Sequence, residues 1–255
     1  MFKFFDSHCH LQLSQYKDDL AEVLARMQDR QTGALMVGVD FETSKAGLEL
    51  AKQHDFLWAS VGLHPNDNET EQFSLAKYEE LARDPKVVAI GECGFDYYHS
   101  DPSDEEKQKQ KERFLMQIEL AQKTNKALVI HCRNAHGDLF SMLVEKKLTV
   151  PVIIHFFTGS TEVAQKYLDL GCYLSFAGPV TFTDMYDDSI RLCPLDKMLI
   201  ETDAPFATPA PYRGRRNEPG YVEYVAVKIA QIKNITTEEV AAATAKNARE
   251  IFRLQ

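Results

Sequence analysis

The residues best able to do chemistry in this chain are histidines and acids at the ends of short apolar runs. His8 and His10 follow Lys3–Asp6, and His64 follows Leu57–Leu63. Glu92 closes Val87–Glu92, His131 closes Ala127–His131, His155 ends Val152–Phe156, and Asp203 follows Met198–Glu201. Imidazole and carboxylate are borderline-to-hard donors that suit zinc, magnesium or manganese. Side chains of an extended segment alternate, so His8 and His10 point one way while Cys9 turns into the wall. Two such imidazoles can grip one ion, and three further ligands with a bridging carboxylate can serve a second.

Each residue taken alone has a plainer explanation. A histidine beside a strand is more often a hydrogen-bonded structural group than a ligand. Glu92 can cap the following turn, and Asp203 can cap the segment that begins Ala204-Pro205. Their shared placement favours metal. Ionisable groups buried together in one mouth are costly unless a cation compensates them.

The elements that must position these residues are legible as a rhythm. Short β-branched or aromatic runs, the six above together with Ala34–Val39 and Tyr173–Phe176, alternate with longer amphipathic stretches. Residues 18–27 and Asp104–Thr124 carry apolar residues at helical spacing. Strict alternation implies parallel strands joined by right-handed crossovers. Eight such units in 255 residues predict a single-domain α/β protein, a (β/α)8 TIM barrel spanning residues 1–255. The rival, a doubly wound open sheet, usually has a glycine-rich turn after its first strand. Here that turn reads Asp6-Ser7-His8-Cys9-His10. In a closed parallel barrel the carboxyl ends of all strands meet on one face, where active sites of such enzymes lie. The polar, proline- and arginine-rich stretch Ala204–Gly220 is expected to cover one rim of that mouth.

Composition narrows the partners. A formal net charge of -9 argues against a broad basic face for duplex DNA, yet cations and a few local arginines can still recruit phosphate. Five scattered cysteines without a CxxC pair suggest reduced thiols in a cytoplasmic protein. No apolar run is long enough to span a membrane, and the first residues lack a secretory layout. No obligate protein partner is evident, and a monomer is expected.

The same residues fall into blocks in a known order: Asp6–Leu11, Gly62–Pro65, Gly91–Tyr98, His131–Arg133, His155–Gly159, Glu201–Pro205 and Arg213–Pro219. Through them the chain resembles the TatD family of metal-dependent deoxyribonucleases, amidohydrolase-like TIM barrels. The resemblance implies that His8, His10 and Asp203 bind one metal, that Glu92 bridges, and that His131 and His155 complete a second site. It implies that His64 orients the substrate phosphate with Arg133 nearby. Phe156 and Phe95 depart from the family, which often has cysteine and leucine there; altered packing is expected.

The mechanism expected on this basis is hydrolysis of DNA phosphodiester bonds, on a single strand or strand end, exonucleolytic in the 3′–5′ direction. One or two divalent ions activate water, and Asp203 orients it or accepts its proton. Arg133, with Arg213, Arg215 or Arg216, is placed to bind phosphate oxygens, although Arg215 and Arg216 also read as a solvated loop. Asp96, Tyr97 and Tyr98 are candidates for supporting the ligands or stacking a base, with rim packing favoured for the tyrosines. The alternatives are a hydrolase of another ester, amide or small phosphoester, including aminoacyl-RNA, and a non-catalytic metal-binding barrel.

Overall fold

Eight parallel strands, each hydrogen-bonded to its sequence neighbours, form one sheet in the order β1 to β8. They are β1 Phe4–Cys9, β2 Thr32–Val37, β3 Leu57–Val61, β4 Val87–Asp96, β5 Ala127–Arg133, β6 Val152–Ile154, β7 Tyr173–Phe176 and β8 Met198–Ile200. The structure is a computed structural model and describes residues 2–66, 71–98 and 102–254. Among these residues the helices are α1 Leu20–Asp29, α2 Phe41–Lys52, α3 Leu75–Ala82, α4 Asp104–Thr124 and α5 His136–Lys146. They continue with α6 Thr161–Asp169, α7 Asp187–Leu192, α8 Val222–Lys233 and α9 Thr237–Phe252. The TIM barrel expected from the alternation is the fold observed.

Strand periodicity divides the core into two shells. Phe5, Leu35, Val37, Ala89, Val129, Ile153 and Leu199 come from strands around the whole sheet, yet pack in one cluster. Only the barrel interior lets them meet. Ala248, Ile251 and Phe252 of α9 join that cluster and close the amino-terminal end. Their alternates, such as Phe4, Met36, Ala59, Ile130 and Ile154, belong to the larger cluster that also takes in the helices. Helix α4 spans the residues expected from its pattern. Ser103 caps it by accepting from the Glu106 N–H while the Glu106 carboxylate reaches back, and Asn125 ends it in a left-handed turn.

The seam between β8 and β1 is closed largely outside the regular ladder. His10 N–H donates to the Ala204 carbonyl at 2.7 Å, and Asp203 N–H donates to the His8 carbonyl at 2.9 Å. The buried Asp6 carboxylate accepts from the backbone of Thr202 at 2.9 Å, from its hydroxyl, and from His8 N–H at 3.2 Å. Ser7 adds a bond to the Ile200 carbonyl at 3.0 Å. The nearly closed barrel thus has its last join beside the residues of interest.

Several strand ends differ from the sequence reading. His8 lies inside β1, and β3 stops at Val61, which leaves His64 in the following loop. Glu92 lies within β4, which runs on to Asp96 after a register shift between Ile90 and Cys93. The apolar run ends at Glu92, but β5 continues to supply partners, with Gly94 opposite His131 and Asp96 opposite Arg133. Gly91 and Gly94 make the shift possible. Their φ values of 134° and 133° suit glycine, and a Cβ would collide with the Val129 and His131 carbonyl oxygens respectively. Gly91→Ala should therefore destabilise the protein by about 2 kcal/mol or more, read as a lower midpoint in denaturant melts. An unchanged midpoint would show that the backbone beside Glu92 is not constrained in this way.

Candidate metal centre

At the carboxyl ends of the strands, a cavity of about 540 Å³ opens over His10, His64, Glu92, His131, His155 and Asp203. Glu92 occupies the middle. Its Oε2 lies 3.2 Å from His8 Nε2, while its Oε1 lies 2.8 Å from both His131 Nδ1 and His155 Nε2. His8 and His10 bring their Nε2 atoms to 3.2 Å, and His131 Nδ1 stands 3.3 Å from His155 Nε2. Asp203 Oδ1 faces His10 Nε2 at 3.5 Å and His8 Nε2 at 3.9 Å, while its carbonyl accepts from Phe206 N–H at 2.8 Å in the turn that follows.

These spacings fit a cation. Two imidazoles on one tetrahedral ion with bonds of about 2.0–2.1 Å hold their nitrogens roughly 3.3 Å apart. His10 Nδ1–H donates to the Val37 carbonyl at 2.8 Å, which leaves its Nε2 lone pair aimed at His8. A lone pair facing another imidazole nitrogen in a buried site needs a proton or a metal between them. His8, His10 and Glu92 can together hold an ion, as can His64, Glu92 and His131, each set placing its ligand atoms within 4.8 Å of one another.

Acids behind the histidines orient the rings. Asp96 Oδ2 lies 3.0 Å from His131 Nε2, which turns His131 Nδ1 toward Glu92. Glu201 Oε1 lies 3.2 Å from His155 Nδ1 and accepts from Phe156 N–H at 2.8 Å. Asp96 was among the sequence candidates, whereas the roles of Glu201 and Asp6 were missed. Their signal was an acid two residues before a chemically active one, Glu201 before Asp203 and Asp6 before His8. Phe156 and Asp203 both adopt left-handed backbone, at φ 45° and 57°. For a bulky aromatic that conformation is strained and persists only where its surroundings enforce it.

Electrostatics sharpen the division of roles. Burial alone would raise the Glu92 carboxyl, but the facing His155, His8 and His64 hold it well below the usual range. Burial lowers His155, yet Glu92 and Glu201 outweigh it and raise the ring well above normal. His131 is raised in the same way by Asp96 and Glu92, and His10 by Asp203. His8 goes the other way, lowered by burial and by His155. Burial takes His64 down to about 3, so its ring is neutral. Its Nδ1 accepts from Asn66 N–H at 3.2 Å, which puts the ring proton on Nε2, 3.6 Å from Glu92 Oε1.

Arg133 is exposed at the cavity wall and stacks over the Tyr98 ring at 3.3 Å. Tyr97 packs at the rim and donates its hydroxyl to Asp138 at 2.8 Å. Arg213 lies over Phe182 at 3.8 Å, and Arg215 is exposed. Of the two readings open for Arg216, a phosphate ligand or part of a solvated loop, the structure shows it engaged within the loop's anchorage. Its guanidinium grips both Asp19 oxygens at 2.7 and 2.6 Å and the Gln15 carbonyl at 2.6 Å, and it covers Tyr16. It fastens the loop after β8 to the segment before α1. Asn217 pins that loop from within, donating to the Thr202 and Phe206 carbonyls.

Comparison with known proteins agrees with this geometry. A family profile described as "TatD related DNase" matches residues 5–253. The chain belongs to the TatD family of metal-dependent hydrolases. It is 44% identical to a protein of Bacillus subtilis (strain 168) named "Uncharacterized metal-dependent hydrolase YabD", over 98% of this chain and 99% of that protein. It is 36% identical to the similarly named YcfH of Escherichia coli (strain K12), over 98% and 95% of the two chains. The crystal structure of YJJV, a TatD homolog of Escherichia coli K12, superposes with a TM-score of 0.90 at 27% identity, covering 99% of each chain.

In this TatD-family protein an incoming cation and protons compete for the same imidazole lone pairs, and the neighbouring acids that raise His10, His131 and His155 favour the protons. Metal uptake at neutral pH should release protons, and affinity should fall as pH drops from above the ordinary imidazole range. Calorimetric titration with zinc, in buffers of different ionisation enthalpy, measures the release. Uptake with no net proton release would contradict the arrangement described.

Proposed function

We propose that this protein hydrolyses DNA phosphodiester bonds at single-stranded ends, using divalent metal held around Glu92. The observation that carries the reading is the division of one carboxylate between His8 on one oxygen and His131 and His155 on the other, beneath a cavity with an arginine at its wall. The proposed ligands are His8, His10 and Asp203 on one side, His131 and His155 on the other, and Glu92 between. Zinc, magnesium and manganese all suit this donor set. When bound, such ions lower the pKa of water toward neutrality and polarise a phosphoryl oxygen.

The chain's own residues supply the rest. Asp203 turns Oδ1 to the imidazoles and takes the water proton at Oδ2, as the water oxygen bonds to phosphorus and the bond from phosphorus to the remaining strand's 3′-oxygen breaks, that oxygen taking a proton from solvent. His64, neutral and protonated at Nε2, donates to a phosphate oxygen. Arg133, held flat on Tyr98, pairs with another. Phe206, Phe156 and Tyr186 also line the cavity, which therefore suits an unstacked base as well as a phosphate. Contacts of this kind carry no base-specific information, so no sequence preference is expected. Among the described residues no helix is long and apolar enough to cross a membrane.

The deciding experiment offers single-stranded DNA, duplex DNA, RNA and simple esters to protein loaded with magnesium, manganese or zinc. Cleavage of single-stranded DNA from an end supports the reading. Turnover of esters or amides alone would transfer the site to another substrate class, and no turnover at all would favour a metal-binding barrel. Glu92→Ala and Asp203→Ala should each lower kcat/KM by on the order of 10³-fold or more while leaving the fold intact. Activity within a few-fold of wild type after both changes would remove them from the mechanism. Phe206→Ala should raise KM for single-stranded DNA roughly 5-fold or more, since base stacking is worth about 1–3 kcal/mol; an unchanged KM would show that no base rests there.

A further inference from the structure

Two buried polar atoms beside the metal centre have no hydrogen-bond partner among the described residues: Nδ1 of His8 and Oε2 of Glu201. The His8 and His155 rings are stacked, with centroids 3.9 Å apart and planes 16° from parallel. Both turn Nε2 to Glu92, at 3.2 and 2.8 Å, so both Nδ1 edges turn away from it on the same side. On that side His155 Nδ1 meets Glu201 Oε1. One ring nitrogen of each histidine and one Glu201 oxygen lie within 4.8 Å of one another. His8 Nδ1 and Glu201 Oε2 are thus both left unpartnered within one compact cluster formed with His155. Glu201 is fully buried, where a carboxylate needs donors for both oxygens.

We propose that Glu201 is one positioning residue for both halves of the metal centre. This rests on the ligand assignment given above. In the metal-loaded site Oε1 keeps the Nδ1–H of His155 and Oε2 takes up the otherwise unpartnered Nδ1–H of His8, which fixes both rings as the tautomer with its lone pair at Nε2. Those lone pairs then point to opposite oxygens of Glu92. A glutamine at this position keeps one acceptor but replaces the other with an N–H donor. It can satisfy one ring only, and it presses the other toward the tautomer protonated at Nε2, which cannot ligate there.

The test compares Glu201→Gln with Glu201→Asp, using zinc affinity from chelator competition and imidazole nitrogen NMR of the zinc-loaded protein. Glu201→Gln should weaken zinc binding about 10- to 100-fold and shift the proton on one of the two rings from Nδ1 to Nε2. Glu201→Asp, shorter but with both oxygens kept, should lose less. A purely structural role would rank the isosteric glutamine as the milder change, and that order would overturn the proposal. It also falls if Glu201→Gln alters His155 while the His8 signal and the affinity stay as in wild type. Should the glutamine variant not fold, the wild-type spectrum decides, because zinc-loaded His8 protonated at Nε2 excludes the Glu201 contact. A wild-type protein that takes up no zinc, magnesium or manganese would overturn the ligand assignment itself, and this proposal with it.

Discussion

The structure turns on the Glu92 carboxylate, a charge buried at the mouth of the barrel with imidazoles on both sides. Taking a carboxylate out of water is expensive, and in a dry site the cost is met only by close, well-aimed partners. Here each oxygen faces its own set: His8 on one side, His131 and His155 on the other. Behind His131 and His155 stand two more acids, Asp96 and Glu201, and behind the neighbouring His10 the Val37 carbonyl. So many acceptors around so few protons make an arrangement that is balanced by cations. That fits the membership of a family of metal-dependent hydrolases.

The barrel produces this convergence through ordinary strand geometry. Alternation sends one set of side chains inward and the other to the helices, so polar residues at the carboxyl ends of separate strands share one space. Local backbone then departs from regularity where aim matters. The glycine-flanked shift in β4 carries Glu92 within the strand rather than at its end. Left-handed backbone at Phe156 and Asp203 sets the chain immediately after β6 and just beyond β8. The seam held by Asp6 and Thr202 fixes β8 against the strand that bears His8. Stability and site geometry are coupled there, because the contacts that finish the barrel also position its histidines.

Much of this was legible in the sequence, for identifiable reasons. The eight apolar runs and the bounds of α4 followed from periodicity, which acts locally. His8, His10, His64, Glu92, His131, His155 and Asp203 come together because strand ends in a parallel barrel must converge. What escaped depends on partners distant in the chain. For Arg216 the sequence leaves phosphate binding and a solvated loop equally open, since nothing nearby reveals that Asp19, 197 residues earlier, holds it. Glu201 read as the end of a strand, because its partner His155 lies 46 residues away. The continuation of β4 was hidden as well, since hydrogen bonding from β5 carries the ladder past a charged residue where an apolar pattern stops.

Anomalous diffraction from crystals grown with zinc or manganese tests the central claim most directly. Peaks are expected beside the Glu92 oxygens, one among His8, His10 and Asp203 and, where a second ion binds, another between His131 and His155. Ordered protein crystals with metal signal only at surface sites, and none within bonding distance of Glu92, would contradict it.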